Sequence, residues 1–235
     1  MPTILSHPAV PLALGLGLGS DVISKRLLIA GALGSVLPDL DVVGFTFGIP
    51  YGHEFGHRGM SHSLVFAALV ALAGATAKKI LKTTFLRAFF FLFIATGSHG
   101  ILDAFTNGGL GIALFWPWTG RRFFAPFQPI VVAPIGISDF LPYAAGVLFS
   151  ELMWVWIPCL LAGAVLAAYR RRFQSERNRP LPWSRLQTEF VEPRPRKNAS
   201  AEPSTQDTLK LFVSVPSLFQ VHPRSTLSRV IRLRT

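Results

Sequence analysis

The chain has 235 residues, of which 50% are hydrophobic and only 15% are charged. This composition excludes an ordinary soluble domain, in which about 25% of the residues are charged, and it indicates a membrane protein. The net charge of +11 is uneven, because residues 1–169 hold nine Lys/Arg and seven Asp/Glu whereas residues 170–235 hold fourteen and five. This basic excess follows a long apolar segment, so it favours an anionic lipid surface over nucleic acid as a partner.

Five apolar segments can be marked along the chain, at residues 8–20, 27–37, 63–77, 85–102 and 141–169. A spanning helix needs about 20 apolar residues, so the fifth segment is long enough, and the third and fourth approach that length with their flanks. The first two are too short, and Pro38 is expected to end the second. We expect them to form a hairpin sheltered by the other helices. The predicted fold is an all-α polytopic membrane bundle over residues 1–172.

The basic residues predict the orientation of this bundle. They fall at alternate segment ends, so that most of them lie on one face of the bundle. The positive-inside rule predicts that this face is cytoplasmic. The residues on it are Lys25, Arg26, Lys78, Lys79, Lys82, Arg87 and Arg170 to Arg172, with Arg58, Arg121 and Arg122 as the minority on the other side. The loops 42–60 and 106–140 then lie outside. The basic tail, 173–235, is predicted to be cytoplasmic and largely disordered, and its end either lies on anionic lipid or is a solvated segment without a role.

The acidic residues and histidines converge on the opposite face. Twelve of them occur up to Tyr169, and with this orientation Asp21 falls inside and Glu151 falls in mid-membrane. Lys and Arg alone set the topology, so the convergence of the remaining ten is an independent indication of a site. These ten are His7, Asp39, Asp41, His53, Glu54, His57, His62, His99, Asp103 and Asp139.

The pair His99 and Asp103 has a spacing of four residues, which puts both side chains on one face of a helix. An imidazole and a carboxylate placed in this way can reach the same ion. The alternative is a simple His–Asp hydrogen bond near a helix end. Both groups end a Phe-rich membrane helix, where ionisable residues are costly and usually functional.

The string from His57 to His62 is the second indication of a site. His57 is predicted in the loop and His62 in the first turn of the third helix, which Ser61 could cap. Arg58 beside them suits an anionic substrate such as a phosphate, because its donors match phosphate oxygens; the alternative is a surface charge.

Two further parts of the chain belong to the same outer surface. Asp39 and Asp41 follow Pro38 in a predicted turn, where they could share an ion, or one could ligate while the other acts as a base. His7 precedes the first apolar segment, so its imidazole is expected at the same surface.

The residue types bear on the kind of site. A His/Asp set without Cys suits zinc, manganese or iron in a functional site better than a structural zinc site, and the single Cys159 excludes a Cys-based one. His53 and Glu54 are predicted to be peripheral or on the surface, Asp139 to cap the fifth segment, and Glu151 to make a helix–helix contact. Ser/His/Asp catalysis is disfavoured, because neighbours in sequence do not face one another on a helix and there is no G-x-S-x-G motif.

These motifs in this order resemble the bacterial inner-membrane proteins of the YdjM type (domain of unknown function 457), which are classed as metal-dependent hydrolases. The resemblance covers about residues 1–170 and rests on His7, LPDLD at 37–41, HRGMSHS at 57–63 and HGILD at 99–103. The order of ligands is also similar to that of zinc-dependent phospholipase C and the P1-type nucleases, which are all-helical. This sequence lacks the further downstream His and the HxxxE-type pair of those enzymes, which favours one or two ions over three.

The predicted function is hydrolysis of an ester at the inner membrane, and the expected substrate is a phosphoester of a lipid or envelope component. The expected cofactor is a divalent metal, with zinc as the first choice and manganese or iron as alternatives. Its predicted ligands are His7, Asp39, His62, His99 and Asp103. Asp41 is the predicted general base or bridging ligand, His57 a ligand or proton donor, and Arg58 the residue that binds the anion. The alternative is a metal-binding membrane protein without catalysis, such as a transporter or sensor. The oligomeric state is left open.

Overall fold

A computed structural model describes residues 1–177, and the predictions for the rest of the tail lie outside the described residues. The chain forms five main helices, which we label α1 (Ala9–Leu18), α2 (Lys25–Val36), α3 (Leu64–Thr76), α4 (Phe85–Ala104) and α5 (Ile137–Arg177). Among the described residues the β-type pairings are two isolated bridges, Thr106 with Ile130 and Ile112 with Phe123. The all-α prediction is confirmed.

The α-helix of the second segment ends at Val36, as the predicted stop at Pro38 requires, but the helical run goes on beyond it. A 3-10 helix from Leu37 to Phe47 continues α2, so that the helical run Lys25–Phe47 has 23 residues. Pro38 is tolerated because it occupies the first turn of the 3-10 segment, where its missing N–H is not needed. Asp39 and Asp41 therefore lie in a helical extension of α2 and not in a turn.

Within residues 1–177, three helical runs are long and apolar enough to cross a membrane: Lys25–Phe47, Phe85–Ala104 and Ile137–Arg177. The second segment therefore reaches spanning length after all. α3 has only 13 residues, about 20 Å at 1.5 Å per residue, so it falls short of the length predicted for it. α5 begins before the predicted 141 and continues through 173–177, which had been assigned to the tail. Only 17% of its most apolar window is buried, so α5 presents an apolar surface suited to lipid.

Small residues allow the helices to approach closely. α2, α3 and α4 share a core in which Ala71, Ala75 and Ala88 are fully buried beside Phe91 and Leu92. α1 packs against α5, where a Cβ at Gly163 would lie 2.8 Å from the carbonyl oxygen of Ala13. Small residues at such contacts are typical of helices that pack within membranes.

Hydroxyl side chains cap three of the helices. Ser24, Ser63 and Thr84 accept hydrogen bonds from backbone N–H groups in the first turns of α2, α3 and α4, which satisfies donors that lack a helical partner. The predicted capping role of Ser61 is therefore wrong, and His62 lies in a 3-10 turn, Met60–His62, before α3. Asp139 does not cap α5 either, since Gly136 occupies that position and Asp139 follows in the first turn.

The long connections pack on one another at the end of the bundle that carries the His/Asp residues. Arg122 donates to the backbone carbonyls of His57, Tyr51 and His53, and Ala113 N–H donates to the Arg58 carbonyl. Arg122 thus connects the two long loops to one another.

Candidate metal centre

The structure brings together the five residues that were predicted as ligands. His7 comes from the turn before α1, Asp39 from the extension of α2, His62 from the turn before α3, and His99 and Asp103 from α4. All five side chains are buried, with relative exposures between 0 and 4%. The helical spacing of His99 and Asp103 therefore predicted their common face correctly.

A glycine allows the turn with His62 to contact α4 directly. A Cβ at Gly100 would lie 2.5 Å from the backbone carbonyl oxygen of His62, a separation that real Cβ atoms do not reach. Because Gly100 follows His99, this close contact brings the two imidazoles together, with ring centroids 4.6 Å apart.

The hydrogen bonds of these two imidazoles fix their tautomers. His99 Nδ1 lies 2.7 Å from the Ser35 carbonyl oxygen, which can only accept. Ser61 Oγ donates to Asp41 Oδ2 at 2.6 Å, so His62 Nδ1, 3.0 Å from the same hydroxyl, must be the donor there. Both neutral rings then present an Nε2 lone pair, and these two atoms are only 3.1 Å apart. Two facing lone pairs repel one another unless a metal ion or a proton lies between the two nitrogens.

The carboxylates of Asp39 and Asp103 complete a set of four ligand atoms. Asp39 Oδ1 lies 3.3 Å from His99 Nε2 and 3.7 Å from His62 Nε2, and Asp103 Oδ2 lies 3.4 Å from His62 Nε2. Metal–ligand bonds of about 2.1 Å put neighbouring atoms of a tetrahedral site roughly 3.4 Å apart. All four carboxylate oxygens are buried without a hydrogen-bond partner, which is rare in folded proteins. The residues fit a divalent ion.

His7 approaches the same carboxylates from the other side. Its Nε2 lies 3.7 Å from Asp39 Oδ2 and 3.8 Å from Asp103 Oδ1, and its ring stacks on that of His99 at 3.7 Å. Burial, together with the neighbouring His99, lowers the pKa of His7 to about 3 against the opposing effect of Asp103 and Asp39. The imidazole is therefore neutral at physiological pH, which is the state in which histidine ligates metal.

A proton competes with the ion at His62. Burial opposes its protonation, but Asp103, Asp39 and Asp41 raise its pKa to about 10. A protonated His62 could donate to His99 Nε2 and so relieve the facing lone pairs. It would still leave the oxygens of Asp39 and Asp103 without hydrogen bonds, whereas a metal would bind one oxygen of each carboxylate, so a metal satisfies more of the site than a proton does.

Asp41 contacts residues of the centre without belonging to the group of four ligands. Its carboxylate contacts His57 Nδ1 at 2.7 Å, Ser61 Oγ at 2.6 Å and His62 Nδ1 at 3.2 Å. Asp41, His57 and His62 form a second group in which ligand atoms come close, yet those atoms already have hydrogen-bond partners. A carboxylate behind a ligating imidazole fixes its orientation and raises its basicity. Asp39 and Asp41 fall in different groups of close ligand atoms, and the predicted role of Asp41 as a general base or bridging ligand stays a prediction.

Arg58 has partners other than the predicted substrate. Its side chain is fully buried, NH1 donates to the Gly108 carbonyl at 2.6 Å, and NH2 donates to Thr106 Oγ1 at 2.9 Å. Nε lies 3.3 Å from Asp103 Oδ2 without hydrogen-bond geometry. The surface-charge alternative is excluded, and the role of Arg58 in binding an anion stays a prediction.

The remaining acidic residues and histidines lie away from the centre. His53 and Glu54 are exposed, as predicted, and Glu151 contacts the N-terminal segment at Thr3 and Ser6 instead of another helix. Sequence reasoning missed Ser35, whose contribution is a backbone carbonyl that no residue type reveals. It also missed the partner role of Ser61, although a hydroxyl beside a histidine was the available signal.

Comparison with known proteins agrees with this description. The family model of the YdjM inner membrane protein matches residues 1–174. The inner membrane protein YbcI of Escherichia coli (strain K12) is 49% identical over 174 residues, which are 73% of this chain and 100% of that relative. No solved structure matches the chain. Together with the three apolar helical runs, these matches place the chain in the inner membrane as a multi-pass protein. It belongs to the YdjM inner membrane protein family.

Proposed function

We propose that this protein is a metal-dependent hydrolase of the inner membrane that acts on a phosphoester in a lipid or envelope component. The observation that supports a metal centre is the pair of Nε2 atoms of His62 and His99, which face one another at 3.1 Å among four unpaired carboxylate oxygens. Such unpaired groups cost free energy when they are buried without a cation. The resemblance to metal-dependent hydrolases supports the reaction class.

The residues of such a site would have different roles. His62, His99, Asp39 and Asp103 would hold the ion, and Asp41 orients His62 through its Nδ1–H. A divalent ion supplies Lewis-acid activation of water and of the ester. Arg58 Nε lies 3.3 Å from Asp103 Oδ2, the same oxygen that faces His62, so this cation stabilises the charge of Asp103 and would attract an incoming phosphate. The ligand side chains are 0–4% exposed, so the centre is shielded from bulk water in this conformation.

Complete burial of the ligands favours a second candidate. A substrate cannot contact His99 or Asp103 in this conformation, because both have zero exposure. A non-catalytic metal-binding membrane protein, such as a sensor or transporter, needs no such access for a large substrate. This candidate has the same metal centre as the hydrolase, but it does not hydrolyse a substrate.

Elemental analysis of the purified full chain in detergent tests the centre. Wild type should carry a stoichiometric transition metal, and His62→Ala, His99→Ala and Asp103→Ala should each lose it to a similar extent, because ligands of one ion act as a unit. His53→Ala, which changes an exposed histidine, is the matched control and should keep the metal. Metal that persisted in all three variants would refute this ligand assignment.

An activity assay then separates the two candidates. A metal-loaded wild type should hydrolyse a chromogenic phosphodiester or a phospholipid in mixed micelles, and the metal-free Asp103→Ala variant should not. Stoichiometric metal without turnover on either class of ester would favour the non-catalytic candidate.

A further inference from the structure

We propose that the centre has two metal positions, and that the second consists of His7 Nε2 with Asp39 Oδ2 and Asp103 Oδ1. This inference rests on the proposed function, since it concerns the same site. In this arrangement each of the two carboxylates bridges both ions, and His7 binds the second ion only.

The first support is the way the carboxylate oxygens are divided. Asp39 Oδ1 and Asp103 Oδ2 face His99 and His62, at 3.3 and 3.4 Å. The other oxygen of each carboxylate faces His7 Nε2, at 3.7 and 3.8 Å. Each carboxylate thus offers one oxygen to each side, which is the arrangement of two bridging ligands.

The second support is the position of the His7 ring. His7 lies outside the group of four residues whose ligand atoms are within 4.8 Å of one another. Its ring is parallel to that of His99 within 15°, at a centroid distance of 3.7 Å. Ions bound in the planes of two such stacked rings would be separated by about the ring spacing, and the metals of two-metal hydrolytic sites are roughly 3.5–4 Å apart.

The third support is that His7 has no other partner within the described part of the chain. Its side chain has zero exposure, and neither Nδ1 nor Nε2 makes a hydrogen bond. A neutral imidazole has one donor and one acceptor nitrogen, and both need a partner when the ring is buried in this way. The nearest candidates at Nε2 are the oxygens of Asp39 and Asp103, which are themselves unpaired acceptors.

The two positions differ in their number of protein ligands. The His62/His99 position has four, which is the number of a closed tetrahedral site, whereas the His7 position has three, as do catalytic sites that keep a place open for water or substrate. We therefore assign the phosphoester to the His7 position, where a phosphate oxygen would complete the coordination.

Charge predicts that the second ion binds more weakly. The carboxylates of Asp39 and Asp103 neutralise one divalent cation, and a second adds two positive charges beside the buried Arg58. Uncompensated charge is costly in a buried site. An anion should therefore accompany the second ion, and inorganic phosphate is the simplest probe.

A titration of the full chain with Mn²⁺ tests the proposal. Metal-stripped protein in detergent should bind one equivalent tightly and a second at least about tenfold more weakly, as expected for an uncompensated buried charge, and phosphate should tighten only the second. The spectrum should change from that of isolated Mn²⁺ at one equivalent to that of a coupled pair at two. His7→Gln, which keeps a polar side chain, should lose only the weak equivalent, whereas His53→Gln should behave as wild type.

Each outcome has a defined meaning. A single equivalent at saturation that His7→Gln removes entirely would make His7 a ligand of one shared ion and would overturn the proposal while the proposed function stands. A single equivalent that His7→Gln leaves unchanged would overturn it too. Two equivalents without spin coupling would place the second ion elsewhere. No metal in folded wild type would overturn both this inference and the proposed function. Circular dichroism of His7→Gln verifies that the helices are retained.

Discussion

Glu151 Oε2 accepts a hydrogen bond from Ser6 Oγ at 2.6 Å, across 145 positions of the chain. The same carboxylate accepts from Thr3 Oγ1 at 2.7 Å and from the backbone N–H of Thr3. Glu151 is 1% exposed and immediately precedes a π-helical turn of α5, Leu152–Trp156, a feature that is frequent at functional sites. Because His7 follows Ser6 directly, this carboxylate fixes the turn that places the imidazole of His7.

Replacement of Glu151 should therefore affect both stability and the metal centre. Glu151→Ala leaves buried donors unpaired, at about 1–3 kcal/mol each, so the midpoint of thermal unfolding in detergent should fall and metal binding that depends on His7 should weaken. Glu151→Gln keeps one acceptor and should have a smaller effect. Glu176→Gln, in an exposed pair with Arg172, is the control. Unchanged metal binding in a folded Glu151→Ala variant would contradict the positioning role.

Much of the site could be predicted from the sequence because its ligands lie at segment ends. The helical period alone put His99 and Asp103 on one face of α4, and the alternation of basic ends put His7, Asp39 and His62 at the same end of the bundle. These inferences need only the direction of each segment. They hold even where the predicted element boundaries were wrong by several residues.

The rest depends on contacts between distant parts of the chain. Pro38 ends helices in general, and only the 3-10 geometry of Leu37–Phe47 shows that the run continues. The burial of Arg58 follows from carbonyl and hydroxyl acceptors in the 105–136 connection, which no local pattern indicates. The partner of Glu151 is near the other end of the described chain. The types of these residues indicated that Arg58 and Glu151 were unusual at their positions. They did not indicate which groups the two side chains contact.

Arg58 should prove to be more than a group that binds substrate. Arg58→Ala removes a fully buried cation beside Asp103 and leaves the acceptors at Gly108 and Thr106 unpaired, so it should destabilise the protein by about 3–5 kcal/mol. Arg58→Lys keeps the charge but lacks the fork of donors, and it should restore part of the loss. Chemical denaturation of the two variants in detergent measures the difference. Wild-type stability in Arg58→Ala, with loss of phosphoester turnover alone, would instead support the originally predicted role.

Asp41→Asn tests whether this carboxylate orients His62 or acts as a base. Because it holds the Nδ1–H of His62, the substitution should weaken metal binding by roughly 10–100-fold without abolishing it, as is usual for carboxylates behind ligating histidines. Competition with a chelator of known affinity measures the change. Asp139→Asn alters an exposed carboxylate and serves as the control. Wild-type metal affinity with a large loss of turnover would assign Asp41 the role of general base.

The orientation in the membrane is the last prediction. Lys25 and Arg26 lie at the start of α2, Arg87 in the first turn of α4, and Arg170 to Arg172 near the end of α5, all opposite to the metal centre. The positive-inside rule then predicts a cytoplasmic end of α5 and an external centre. A reporter that is active only in the cytoplasm should be active when it is fused after Arg172. An epitope inserted at Gly111 should be labelled from the periplasm. Substitution of Arg170, Arg171 and Arg172 by Gln should weaken this preference, whereas Arg121→Gln should not. A periplasmic reporter at Arg172 would place the metal centre at the cytoplasmic face, and its substrate would then have to come from the cytoplasm or the inner leaflet.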